Sequence, residues 1–271
     1  MGWDRNYNRA ENNWNRGILP LQIDGCIVAI DPCLCKVEQT NGVVSSVQNR
    51  ANYQYDARVV AAANSPLLDD DNSNSYPTLV FGGVDDYLKI PRMTNQFANG
   101  FSYFVVLKCD DGRPATAGSI FGSFTTTSNN NAAFYCYNLT DGNIRTGIFS
   151  NNTDSRIDVV KLADGASSYF IVSAICDPTS TYKGYYNGAP GVTASKDISN
   201  VSYSYIFGGT RNATTEQITI GNRIRENDLP QPGNYFDGNI SCFYLYNKPI
   251  SQMNHDSICD WLNNRFNIGV K

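Results

Sequence analysis

The sequence predicts an all-β antiparallel sandwich closed by one C-terminal helix. Three observations carry that prediction. Short aromatic and branched runs recur between clusters of Asn, Asp, Gly and Ser, which is how strands and turns alternate. Charged residues make up 17% of the 271 residues, below the usual share of about 25%, while 17 Tyr and 13 Phe stand ready for pleated surfaces. The run Phe236 to Ser251 reads as one long strand entered through Asp237-Gly238, stopped by Lys248-Pro249 and followed at once by a helix.

In order, residues 1–20 read as a polar, aromatic arm. Trp3, Tyr7 and Trp14 are its docking candidates, since the segment cannot build a core of its own. The sandwich is expected over 21–271. Cys26–Ile30 is a short buried strand ended by Asp31-Pro32, and 42–44 and 53–55 are weaker strands. Leu67 to Tyr76 reads as an acidic loop. Strands are expected at 78–81, 87–90, 101–109, 118–124, 132–137, 144–149 and 168–177. Tyr182 to Tyr186 leads into Asn187-Gly188, a pair suited to a primed hairpin turn. Residues 203–207 and 217–221 add two more strands. In the last strand, Ile240, Cys242, Tyr244 and Tyr246 share one face, and Ser241, Phe243, Leu245 and Asn247 the other. Ser251 caps a helix over 251–266 that turns Ile258, Trp261, Leu262 and Phe266 to one side.

In order and spacing, Leu79 to Leu88, Tyr169 to Ala174, Tyr185 to Gly188, Ile218 to Gly221 and Phe236 to Ser251 resemble the concanavalin A-like lectin/glucanase superfamily, in its laminin G-like branch. The resemblance covers roughly residues 21–268. It implies a two-sheet jelly-roll sandwich. It also implies one of three roles: binding glycans or proteins, coordinating calcium, or hydrolysing β-glucans.

Composition narrows these. Net charge is −4 with no basic stripe, which argues against nucleic acid. No apolar run approaches the ~20 residues of a membrane span. The first 17 residues lack the apolar stretch of a secretory signal. Of the eight cysteines, Cys26, Cys176 and Cys242 lie in apolar strand patterns, so free buried thiols and a reducing cytoplasm are expected.

Retaining glycosidases need two carboxylates about 5 Å apart. The glutamates are Glu11, Glu38, Glu216 and Glu226; no Glu-x-Asp-x-x-Glu stretch occurs and Glu216 has no carboxylate two residues away, so no catalytic residue is assigned. His255 is read as a solvated residue on the exposed part of the last helix, unable to face the adjacent Asp256. No cofactor is expected. Calcium is the one ion left open, through Asp69, Asp70 and Asp71, with Asp85 and Asp237 as weaker ligands. Sugar stacking falls to Tyr182, Tyr185 and Tyr205, with Asn187 bonding hydroxyls.

Strands 101–109, 168–176 and 240–246 are apolar on both faces, so the arm, a loop or another subunit must cover what the helix leaves bare. The expected function is therefore a non-catalytic, lectin-like structural or adhesion module. By analogy with the bacteriophage decoration and fibre proteins that it resembles, its expected place is a virion surface, docked by residues 1–20 to other virion proteins or to copies of itself, and touching host-surface glycans. The alternatives are a free-standing carbohydrate-binding module and, third, a glycoside hydrolase.

Overall fold

The computed structural model describes residues 19–269 apart from 74–75, 92–96, 98, 125–131, 151–152, 200–216, 223, 226–228 and 231–232. The arm residues Trp3, Tyr7 and Trp14, the expected strand at 203–207 and its Tyr205 lie outside the described residues.

A helical turn, Leu19–Gln22, leads into β1 (Cys26–Ile30), β2 (Val37–Thr40), β3 (Val43–Val47), β4 (Ala57–Arg58), β5 (Leu67–Ser73), β6 (Tyr76–Gly82) and β7 (Leu88–Ile90). The middle of the chain forms β8 (Phe101–Cys109), β9 (Gly118–Phe124), β10 (Ala132–Asn138), β11 (Asn143–Ser150), β12 (Thr153–Lys161), β13 (Phe170–Cys176), β14 (Thr181–Tyr186) and β15 (Ala189–Asp197). Then come β16 (Gln217–Ile220), the small pair β17 (Ile224–Arg225) and β18 (Leu229–Pro230), β19 (Asp237–Tyr246) and the C-terminal helix Gln252–Phe266. Among the described residues, seventeen strands join in one antiparallel sheet, nearly closed into a barrel.

One run of that sheet reads β15, β14, β13, β8, β19. The far edge of β19 takes two partners in turn, β6 along Asp237–Ile240 and β1 along Phe243–Tyr246. A bulge between Ile240 and Cys242 marks the change. It also shifts the alternation expected from the sequence. Ile240 joins Phe243 and Leu245 in the main core, away from Cys242, Tyr244 and Tyr246. The second run reads β7, β16, β9, β10, β11, β12 and joins the first through β4, β3, β5 and β6. At its end β12 returns against β14 and β15. A Cβ on Gly191 would meet the Val159 carbonyl at 2.8 Å, so only glycine permits that approach. The main core fills the space between the runs, with Phe81, Phe101, Tyr103, Phe121, Phe134 and Phe243 among its largest members.

The strands expected to be apolar on both faces are β8, β13 and β19, and the chain itself covers their second face. Phe104, Val106, Ile171, Cys242, Tyr244 and Tyr246 pack with Ile258, Leu262 and Phe266 of the helix, and Leu21 and Ile23 close one side. Of the covers expected beside the helix (the arm, a loop or another subunit), the end of the arm and the segment after it supply one: Pro20 is buried and its carbonyl accepts from the Tyr246 hydroxyl at 2.8 Å. At about 25 cal/mol per Å² of apolar area, burying this face holds the helix in place. Ser251 Oγ accepts from the Asn254 amide at 3.2 Å, as expected of an N-cap, and Asn267 ends the helix in the left-handed region at φ 52°.

Two further expectations are corrected. Residues 67–73 are a strand, because Leu67 and Leu68 register against Val80 and Leu79 of β6 and draw the acidic run into the ladder. His255 is fully buried, because it shares the inward helical face with Ile258, Leu262 and Phe266, at spacings of three, seven and eleven. The Asn187-Gly188 turn forms as expected, with φ of 49° and 84°. All eight cysteines are free.

Candidate functional site

The face of β9–β12 turned away from the main core carries the candidate site. Alternation sends Phe134 and Cys136 of β10 inward and leaves Tyr135 and Tyr137 together on the other side. Their rings lie 5.2 Å apart, tilted by 52°. Register then sets their neighbours. Tyr137 stands opposite Arg145 of β11, and Arg145 opposite Asp158 of β12. Tyr135 stands between Gly122 and Gly147. A Cβ at Gly147 would meet the Tyr135 hydroxyl oxygen at 2.6 Å, so glycine there lets the ring lie over the neighbouring strand.

Arg145 grips Asp158 with two bonds, Nε to Oδ1 at 2.6 Å and a terminal nitrogen to Oδ2 at 3.1 Å. That bond first, and Asp158's charge with it, raises the Arg145 pKa against the opposing effect of burial. The pair is partly open, with side chains 23% and 28% exposed, while Tyr135 and Tyr137 keep 7% and 9%. Arg156 is exposed beside them. A ligand therefore meets the charged pair first and the rims of the rings second. A guanidinium donor and a carboxylate acceptor held side by side, each about a quarter open, are the groups that bond neighbouring sugar hydroxyls, and the buried tyrosine rings support them from beside.

The residues proposed from sequence lie elsewhere. Tyr182 is wholly inside the main core, where its hydroxyl meets Thr146 Oγ1, itself bonded to Tyr103. Tyr185 is buried under the C-terminal helix and donates to Gln252 Oε1 at 2.8 Å. Asn187 is buried in its turn and accepts from the Ile171 amide at 2.8 Å. None presents a surface to a sugar, which corrects that expectation. Sequence reasoning points to neither Arg145 nor Asp158, and β12 goes unrecognised. Its signal was the alternation of Arg156 and Asp158 with Ile157 and Val159.

For a metal, Asp69 is half-buried and Asp70 exposed on β5, and the Asp71 side chain lies outside the described residues. Burial first, then the carboxylates of Asp110 and Asp111, raise the Asp237 pKa. Asp86 is also raised, by burial, although it accepts from the Gly82 amide at 2.7 Å. Among the described residues no three His, Cys, Asp or Glu side chains come together to hold an ion.

A second constellation lies under the C-terminal helix. Ser173 Oγ is 2.9 Å from His255 Nε2, and His255 Nδ1 is 3.1 Å from Asp256 Oδ1. The expectation that adjacent helix residues cannot bond is corrected, since Asp256 folds back over the ring. These are the roles of nucleophile, base and orienting carboxylate. Ser173 and His255 are fully buried, however, so no acyl group reaches the serine in this structure.

No family model and no curated protein matches the chain. Solved structures do. A Trypanosoma rangeli sialidase aligns at 15% identity and TM-score 0.56 over 92% of this chain and 34% of its own. The receptor binding domain of a botulinum neurotoxin C/D mosaic serotype aligns at 13% and 0.56 over 88% of this chain and 51% of its own. The binding domain of botulinum neurotoxin DC, solved with SialylT, aligns at 11% and 0.57 over 88% and 52%. The chain thus spans about a third of the sialidase and half of the toxin domains, and the likeness is one of fold.

Proposed function

We propose that this chain is a non-catalytic, lectin-like sugar-binding module, a jelly-roll sandwich of the concanavalin A-like, laminin G-like type. The observation that carries the reading is the outer face of β10–β12, where Tyr135 and Tyr137 flank the half-open Arg145–Asp158 pair. Sialylated glycans are the first ligands to test, because the T. rangeli sialidase has been solved with difluorosialic acid and the toxin DC domain with SialylT. A glycan array with sialylated and neutral sugars, repeated on Asp158→Ala, tests it. Binding lost in the variant supports the reading, and unchanged binding, or no sugar bound by either protein, ends it.

The same reading extends to a place on a bacteriophage virion surface, docked through residues 1–20 to other virion proteins or to further copies. Low charge, abundant Asn, Ser, Thr and Tyr, and thiols suited to a reducing compartment support it. Deleting residues 1–20 should abolish incorporation into the particle while leaving sugar binding intact.

A further inference from the structure

His255 is the one histidine of the chain, and the sugar-binding reading makes no use of it. Three strands and the helix itself close around its ring. The Tyr185 ring of β14 lies 4.0 Å away and the Phe104 ring of β8 5.3 Å, centroid to centroid. Ser173 of β13 meets Nε2 at 2.9 Å. From the helix come Asp256 Oδ1 at 3.1 Å and Gln252 Nε2 at 3.3 Å from Nδ1, and Cys259 Sγ at 3.7 Å from Nε2.

We propose that His255 is a proton-sensitive latch: neutral, it seats the C-terminal helix on β8, β13 and β14, and protonated, it loosens that seat and bares the apolar face beneath. A neutral ring with its proton on Nδ1 donates to Asp256 and leaves Nε2 to accept from the Ser173 hydroxyl. A second proton turns Nε2 into a donor and places a charge between two aromatic rings in a site closed to water. The titratable groups facing the ring are Asp256, Cys259 and Tyr185, since Ser173 and Phe104 do not titrate. Burial pushes the Cys259 thiol up to about 12 and raises Tyr185, so both stay neutral in the range of interest. Asp256 remains as the counter-charge, but its side chain is 56% exposed and water weakens its hold. Burial lowers the His255 pKa, and the bond and charge of Asp256 pull it back only in part.

The sign follows. With the folded pKa below the ordinary 6.5, the contribution to stability is complete above pH 6.5 and is lost as pH falls through the folded pKa. The loss reaches about tenfold in the closing equilibrium per pH unit. At the other end of the helix Arg265 stays charged and bonded to Asp31, so opening starts at the Ser251 end.

The test uses the full chain. One imidazole resonance, followed by NMR, should titrate below pH 6.5. Amide exchange across 252–262, corrected for its intrinsic pH dependence, should rise in the same range while β8 stays protected. His255→Gln should remove that rise. A titration midpoint at or above 6.5, no rise in exchange, or the same rise in the variant would overturn the proposal. The resonance of the unaltered chain keeps the test open if the variant does not fold.

Discussion

Two arginine–aspartate pairs of nearly the same geometry sit on the two outer faces of this sheet. Under the C-terminal helix, Arg265 gives Asp31 two bonds of 2.6 and 2.9 Å. Tyr244 adds a third at 2.6 Å, and the rings of Tyr76, Trp261 and Phe266 surround the guanidinium. On the opposite face Arg145 grips Asp158 as closely, but beside Tyr135 and Tyr137 and with about a quarter of each side chain open. The first pair is 3% and 1% exposed. Burial decides what each can do. Charges shut away from water are costly unless they satisfy each other, so the inner pair is committed to holding helix and β1 together. The outer pair gives up little by exchanging its partners and is free to meet a ligand.

The difference predicts a ranked series. Arg265→Ala leaves Asp31 buried and uncompensated, and urea unfolding should show a loss of about 3–5 kcal/mol. Replacing all three partners by apolar residues, Asp31→Leu with Arg265→Met and Tyr244→Phe, should recover most of that loss. If the triple variant stays as unstable as the single one, the inner cluster does more than satisfy itself. Tyr244→Phe removes one hydrogen bond to a charged group and should cost about 1.5–3 kcal/mol in the same assay. Arg145→Ala should cost no more than about 1 kcal/mol, and less in high salt, while abolishing sugar binding. An Arg145 variant as unstable as the Arg265 one would erase the distinction between the faces.

Much of the architecture is legible in the sequence because it rests on local signals. β13 and β19 announce themselves by apolar runs interrupted at single serines, Ser173 and Ser241, and the helix by Ser251 and the spacing of Ile258, Leu262 and Phe266. The same spacing contained His255, and its polarity concealed that it shares their face. β15 escapes notice because Pro190 and Gly191 interrupt a strand that is mostly exposed and has little apolar pattern. The candidate site is less legible. Arg145 and Asp158 are thirteen residues apart and Asp31 and Arg265 are 234 apart, and only strand register and helix docking bring either pair together. Alternation does tell that Tyr135 and Tyr137 share a side. It does not tell that this side is the outer one, whereas Tyr182 faces the core.

The free cysteines give the molecule a built-in clock for its own opening. Cys242 and Cys259 lie in the layer under the helix, whereas Cys109, Cys136 and Cys176 lie in the main core. Burial keeps all five as unreactive thiols while their layer is shut. An alkylating reagent added in brief pulses would thus stamp the first two whenever the lid lifts and the other three only when the whole chain comes apart.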